Sequence, residues 1–404
     1  MTSKINTFKK FANIHFVVVT LLMLSFNNLF GSEPQEGQTE AEVHSAASSV
    51  PHESHAEGGP VDITAVAFEH ILDSHSWHFW GEGHDAVSLP LPVILKGKNG
   101  IYTFMSSEFH HDNQGFVVVE KNGERFVNFE EKIYFANETP NEYGQYVSLT
   151  AADKEVAVLN ETPLDFSITK NVTQMFISMF VLFWLFISIA NAYKTTGVTS
   201  APKGKQSFFE PLIIFVRDDI AKGNIGHGSE KFVPYLLTVF FLILVNNVFG
   251  LIPIGANLTG NIAFTLVLST ATLIITNLNG NKNYWSHIFL PHAPKAIWPI
   301  LIPIEIAGIF IKPIALMIRL FANMTAGHII VISLIGLIFV FKSAMIGFVS
   351  VPFALFIDIL ECLVAFLQAF IFTMLTALFI GSAVADHHED SHQDEDHNLA
   401  KSHH

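Results

Sequence analysis

Hydrophobic positions along this chain fall into runs of two lengths, and each length predicts a different kind of element. Between residues 63 and 165 the runs are short. Val93–Leu95 and Ile101–Phe104 flank Lys98-Asn99-Gly100, and Phe116–Val119 and Phe126–Phe129 flank Asn122-Gly123. Asn-Gly between two such runs predicts a β-hairpin, because both residues tolerate the positive φ of a type I′ turn. This part reads as a small β-rich domain. Beyond residue 170 the runs lengthen to Val172–Ala192, Phe232–Ile252 and Ile262–Ile275, then to Trp298–Val340 and Phe348–Val384. About 20 apolar residues are enough to cross the hydrocarbon of a bilayer. From Phe232 to Asn281 there is no Asp, Glu, Lys, Arg or His, which leaves room for two spans. The pattern predicts a mostly α integral membrane protein with about five membrane helices and a β-rich N-terminal domain.

The last two runs are longer than one perpendicular span requires. A helix of about 40 residues is about 60 Å long, twice the hydrocarbon thickness. Each run is therefore either two spans with a hidden turn or one steeply tilted helix. No Gly-Pro or Asn-Gly pair divides either run, and Pro303 and Pro313 can kink a membrane helix without ending it. The pattern favours a hairpin of two long tilted helices with its turn near Lys342–Gly347. Between the spans, Gln206–Ile225 mixes Phe208, Phe209, Leu212 and Ile213 with Glu210, Arg217, Asp218 and Asp219. That mixture suits an amphipathic helix lying at a membrane surface.

Charge assigns the sides. Lys194, Lys203, Lys205, Arg217 and Lys222 follow the first span, and Lys282 and Lys295 follow the third. Basic residues mark the cytoplasmic side. Residues 33–170 then lie outside the cytoplasm. The start of the chain agrees: Lys4, Lys9 and Lys10, the apolar stretch Phe16–Ser25 and the small pair Gly31-Ser32 read as a secretory signal over residues 1–32. A short uncleaved anchor would export the same segment. Residues 33–62 lack a core-forming pattern and read as a disordered linker. Residues 385–404, rich in His and Asp, read as a disordered tail. Only 14% of residues are charged, against about 25% in globular domains, and the net charge of −14 argues against nucleic acid as a partner.

Within residues 296–384 the ionisable side chains are Glu305, Lys312, Arg319, His328, Lys342, Asp358 and Glu361, with Cys362 beside them. A charge at the bilayer centre costs about 2.5–3.5 kcal/mol on insertion scales, so a group of them marks an ion or proton path. Their spacing adds to this. Glu305, Lys312 and Arg319 are seven apart, two helical turns, and Asn323 lies one turn further along the same stripe. His328 falls about half a turn round from Arg319. On the last run Glu361 and Gln368 are again seven apart, with Asp358 one turn before. Two adjacent tilted helices with polar stripes describe facing walls.

The run Ile318-Arg319-Leu320-Phe321-Ala322-Asn323-Met324-Thr325-Ala326-Gly327-His328 resembles the signature of subunit a of the F-type rotary ATP synthase. Leu367-Gln368-Ala369-Phe370-Ile371-Phe372 is similar to the last-helix motif of that family. Phe215–Ala221 and Asn247–Pro253 fit it too, so four motifs occur in order over roughly 170–384. The resemblance implies a membrane stator with two aqueous half-channels that pass protons to and from the carboxylates of a rotor ring. It implies five crossings and a cytoplasmic C-terminus, in a bacterial inner membrane. It implies as partners the ring proteolipids, the peripheral-stalk subunit b, the rest of the synthase and the bilayer. No catalysis by the chain alone, no cofactor and no metal are implied. Arg319 faces the passing ring carboxylates, Glu305 maps to the cytoplasmic half-channel, and His328, Asn323, Glu361 and Gln368 map to the outer one. By the same resemblance Asn247 helps to line that outer path. The family motif does not demand an acid at Asp358; its place on nearly the same helical face as Glu361, nearer the outside, suits either an extension of the path or a solvated surface acid. Some members carry an acid where His328 stands and a histidine where Glu361 stands; here the pair is exchanged. The large exported domain departs from the family's short N-terminus.

Other readings are weaker. Lys312 is either a structural partner of Glu305 or part of the path, and Lys342 reads as a residue of the hairpin turn near the headgroups. His70, His75, His78, His84, His110 and His111 lie near Trp77 and Trp80, yet no metal-ligand spacing accompanies them. The histidines of the tail read as solvated. Cys362, the single cysteine, reads as a small apolar residue. An ion-coupled transporter would show inverted repeats, and a plain membrane anchor needs no intramembrane Arg or Glu.

Overall fold

The computed structural model describes residues 72–80, 87–152, 155–196, 201, 204–252, 255–290, 294–341 and 343–385. The expected signal segment, linker and most of the tail lie outside the described residues, as do His70, His84 and Lys342.

The N-terminal part is built from ten short strands joined into antiparallel sheets. β1 (Ser76–Trp80) pairs with β2 (Val87–Pro90), and β3 (Pro92–Lys96) with β4 (Ile101–Met105). β5 (Gln114–Lys121), β6 (Glu124–Phe129) and β7 (Lys132–Phe135) form a meander. β8 (Leu149–Ala152) pairs with β9 (Glu155–Val158), and β10 (Leu164–Asp165) returns to the edge of β3. Alternate residues of β3 and β4 face inward, and Val93, Leu95, Tyr102 and Phe104 form one core with Phe109, Val119, Phe126 and Ile133.

The turns follow backbone chemistry, with two departures from the sequence reading. Asn122-Gly123 forms the expected two-residue turn, with φ of 47° and 84°. At the first hairpin the turn is instead the four residues Gly97–Gly100, closed by Gly97 N–H donating to Gly100 O at 2.9 Å. Asn99 Asn-Gly chemistry is thus not used there; the Asn99 N–H donates to Glu124 Oε1 at 2.6 Å. A further two-residue turn joins β6 and β7 at Glu130-Glu131, with φ of 50° and 63°. Positive φ is unfavourable for glutamate. Asn113 holds it: the Glu131 N–H donates to Asn113 Oδ1 at 2.6 Å, and Asn113 Nδ2 donates to Glu131 Oε1 at 3.0 Å.

The β-rich part is stapled to the first membrane helix, α1 (Lys170–Thr196). The Asn171 N–H donates to Asp73 Oδ1 at 3.0 Å, and the Lys170 N–H donates to Ser74 O at 2.9 Å. A carboxylate here satisfies N–H groups that a helix start leaves unpaired. Next to it, His75 Nε2 lies 2.7 Å from Asp165 Oδ2.

After α1 come α2 (Lys205–Ile214) and a π-helical stretch, Phe215–Lys222. The expected single amphipathic helix is therefore divided, and the widened turn lets Val216, Ile220 and Ala221 all reach the interior. Its charged residues pair outside: Arg217 grips the Asp218 carboxylate at 2.6 and 3.1 Å, and Lys222 approaches it at 2.5 Å. The Arg217 and Lys222 bonds hold the Asp218 carboxyl well below its usual range. α3 (Val233–Gly250) is the buried centre of the bundle, with Leu236, Phe240 and Ile243 fully enclosed. α4 (Ile262–Leu278) starts at an Asn261 cap, whose Oδ1 accepts the Ala263 and Phe264 N–H groups. It bends by 101° into α5 (Lys282–Phe289). The bend is tied to the end of the chain's last helix, because Asn281 donates to Ala383 O and Val384 O.

α6 (Trp298–Phe341) and α7 (Ala344–Val384) are single helices of 44 and 41 residues. Neither contains a hidden turn, so of the two alternatives the long helices are the observed ones, the first ending at Phe341 and the second starting at Ala344. Among the described residues four helices are long and apolar enough to cross a membrane, or five if the bent α4–α5 pair forms one span. The fold class is the expected one: a multi-pass helical membrane protein with a β-rich N-terminal region. α7 packs on α3, where Asn247 meets Ala365, and Ala365, Ala369, Thr373 and Ala377 of α7 are all fully buried. Small residues let membrane helices approach closely where no hydrophobic force distinguishes neighbour from lipid. Gly381 extends this seam: a Cβ there would overlap the backbone oxygen of Asn224, just past the π-helical stretch.

Candidate functional site

The site is built on the α6–α7 hairpin. Leu316, Leu320 and Met324 turn inward, at 2%, 1% and 5% exposure. The same helical turn sends Arg319 and Asn323 outward, where both are exposed. Lys312 is exposed on the same stripe and Glu305 half-buried. Among the described residues no helix covers Arg319 or Asn323. Arg319 has no ion-pair or hydrogen-bond partner among the described residues. Such a charge is costly in lipid unless another molecule faces it.

Lys312 makes no ion pair with Glu305. Its ammonium instead lies 5.3 Å from the centroid of the Phe379 ring. The structural-partner reading of Lys312 is thereby removed. Glu305 lies within electrostatic reach of Tyr284 on α5.

On α7, Glu361 is half-buried and Asp358, one turn before it, is exposed and within electrostatic reach of it. Glu361 packs against α6 at Gly327, the residue before His328. Its Oε1 is buried with no hydrogen-bond partner among the described residues. Gln368, two turns further, is buried at 4% exposure. Asn247 of α3 meets α7 between them, its Nδ2 donating to Ala365 O at 3.1 Å while its buried Oδ1 has no partner. The structure thus brings Asn247, Glu361 and Gln368 to one seam, with His328 beside it on α6. Arg319, Asn323, Lys312 and Glu305 form the separate outward stripe.

Several polar residues escaped the sequence reading. Asn246 is fully buried, donating to Leu242 O at 2.8 Å with its Oδ1 unpartnered. Thr272 bridges Tyr235 at 3.0 Å and Thr376 at 3.5 Å in the bundle interior. Asn257 reaches Met324 O at 3.5 Å, one turn from Arg319. Uncharged polar residues in apolar runs give only a faint signal, because hydroxyls and amides barely change hydropathy. Their unpartnered buried oxygens mark where water is needed.

Residues 172–381 match the family model described as ATP synthase A chain. The chain belongs to that family. ATP synthase subunit a of Chloroherpeton thalassium is 51% identical over 243 residues, covering 59% of this chain and 72% of the relative. The subunit a of Chlorobium phaeobacteroides is 49% identical over 246 residues, 59% of this chain and 70% of the relative. That of an Anaeromyxobacter species is 46% identical over 239 residues, 57% of each. Membership places the chain in ATP synthesis and proton transport at a membrane, together with the rest of the synthase. Residues 66–166 match a second family model, a domain of unknown function.

Proposed function

We propose that the chain is the proton-channel stator of a rotary ATP synthase, not catalytic by itself, in a bacterial inner membrane. In this reading Arg319 faces the passing carboxylates of the ring. A guanidinium stays protonated at any reachable pH, so it cannot relay the proton. It holds a ring Asp or Glu ionised long enough to give up or accept one, and its charge blocks a direct leak between two half-channels. Glu305 serves the cytoplasmic half-channel. Asn247, Asn323, His328, Glu361 and Gln368 serve the outer one, with Asp358 extending it toward its mouth. Residues 1–32 act as a secretory signal, residues 63–165 form an exported domain, and the C-terminus lies in the cytoplasm. Partners are the ring proteolipids and peripheral-stalk subunit b.

The observation that carries this reading is Arg319: an intramembrane cation on the outward face of α6, without an ion-pair partner among the described residues and backed by a buried apolar face. Its missing partner is a carboxylate on another subunit. Arg319→Ala is expected to lower ATP synthesis in inverted membrane vesicles by about a hundred-fold or more, the scale set by loss of a preorganised charge. The complex should still assemble. Near-normal synthesis by the assembled variant would overturn the assignment.

A further inference from the structure

Behind the stripe, the bundle contains a recess that the proposed path leaves unused. It lies where α4 turns into α5, closed by α6 and α7, and Thr276, Asn277, Tyr284, Lys312, Phe379 and Ser382 line it. Its volume is about 20 Å³. A water needs roughly 10–15 Å³ and two to four polar partners. Thr276 is 7% exposed, and its Oγ1 is buried with no hydrogen-bond partner among the described residues. A buried hydroxyl left unpaired is unfavourable, and water is the available remedy. Across the recess the Tyr284 hydroxyl donates to Asn277 Oδ1 at 3.1 Å, which leaves its oxygen free to accept. Ile309, one helical turn after Glu305 on α6, lines the recess as well, which sets Glu305 at its edge. Lys312 is exposed on the stripe yet lines the recess, so the two communicate.

We propose that this recess is a water site on the cytoplasmic half-channel, in which Thr276 and Tyr284 are positioning residues that hold water beside Glu305. The inference rests on the stator reading and gives the inner path a second wall at the α4–α5 bend. Lys312 disfavours a hydronium resting there, because like charges repel strongly where solvent is scarce. The recess therefore passes protons to and from Glu305 without storing them.

Cys362 is the single cysteine, so Cys362→Ser supplies a thiol-free background. In that background, Thr276→Cys and Ser382→Cys are placed in the complete synthase in inverted vesicles and exposed to silver ion, a thiol-binding ion about the size of a water. Both should be modified, and modification should stop ATP-driven proton pumping. Leu268→Cys, fully buried two turns earlier on α4, should not react. An unreactive recess overturns the proposal, and so does modification that leaves pumping unchanged. If Thr276→Cys fails to assemble, Ser382→Cys carries the test through loss of pumping on modification, since Ser382 is exposed and its labelling alone decides nothing. Separately, Thr276→Val should slow pumping about five-fold, the factor that one ordinary hydrogen bond carries, and Thr276→Ser should restore it. Equal pumping by the Val and Ser variants overturns the positioning role. Labelling is read without proton flux. An Arg319→Ala complex that pumps would defeat the stator reading and leave the water site to its own labelling result.

Discussion

Gly327 and Glu361 meet across the α6–α7 seam so closely that a methyl group built on Gly327 would overlap the Glu361 carboxyl. Glycine leaves the room that the Glu361 carboxyl occupies, and the φ of Gly327 is ordinary, so a methyl group there would push the carboxyl aside rather than strain the backbone. The absent side chain is the space in which the carboxyl sits. Gly327→Ala should displace Glu361 and cut ATP-driven proton pumping severely. Shortening the acid in the double variant Gly327→Ala/Glu361→Asp should recover part of it. Pumping by Gly327→Ala at the normal rate would show that Glu361 does not work from this position.

Glu361 and its neighbour Asp358 differ in setting. Glu361 has a buried, unpartnered oxygen, whereas Asp358 is exposed. Glu361→Gln is expected to cut proton flux strongly, because an amide cannot exchange a proton in the working range. Asp358→Asn should cut it mildly. Wild-type flux in Glu361→Gln rules out the relay, and wild-type flux in Asp358→Asn alone makes Asp358 a surface charge.

The β-rich domain carries its own pH dependence. Burial opposes protonation of His75, but the hydrogen bond and charge of Asp165 outweigh it and raise the imidazole above its ordinary value. Burial likewise opposes ionisation of Asp165, and the His75 bond prevails and lowers it. The raised histidine stabilises fully below about pH 6.5 and loses its contribution as pH rises through its folded value. The lowered aspartate stabilises above about pH 3.9 and loses its contribution as pH falls through its own folded value. The pair therefore acts fully between these limits. His75→Ala should cost about 1–3 kcal/mol at pH 5.5 and less at pH 8.5, measured by resistance of the domain to proteolysis. Equal losses at both pH values would contradict the pairing.

Asp73 behaves in the opposite sense. Burial raises its carboxyl, and the Asn171 N–H only partly restrains this. Its raised value favours the folded state at low pH, and that gain fades as pH rises. Asp73→Asn keeps an acceptor for the Asn171 N–H without the buried charge. It should leave the domain as stable as wild type or more so near neutral pH, and Asp73→Ala should weaken it by about 1 kcal/mol. Thermal unfolding of the two variants, followed through Trp77, separates these outcomes; equal loss in both would show that the cap does not matter.

The sequence alone determined the class of this protein, its long hairpin and the stripe of charges, because each follows from properties that tertiary contacts cannot cancel. Fifty residues without a charge between Phe232 and Asn281 must be kept from water, and helical geometry alone puts Glu305, Lys312 and Arg319 on one face. The Asn122-Gly123 turn was legible for the same reason, since φ preference is local. Tertiary structure decided the rest. Asn99-Gly100 has the same chemistry but serves a longer turn, since Glu124 claims the Asn99 N–H. Glu130-Glu131 adopts a glycine-like turn only because Asn113, distant in sequence, bonds to it. Lys312 turned from Glu305 to Phe379, a choice that depends on where α7 lies. Asn246 and Thr276 are silent in the sequence, and the signature names Gly327 without its reason, because a glycine, an amide or a hydroxyl in an apolar run gains meaning only from what packs against it. The backbone of one helix had to be laid against the next before an absent methyl group or an unpaired oxygen could matter.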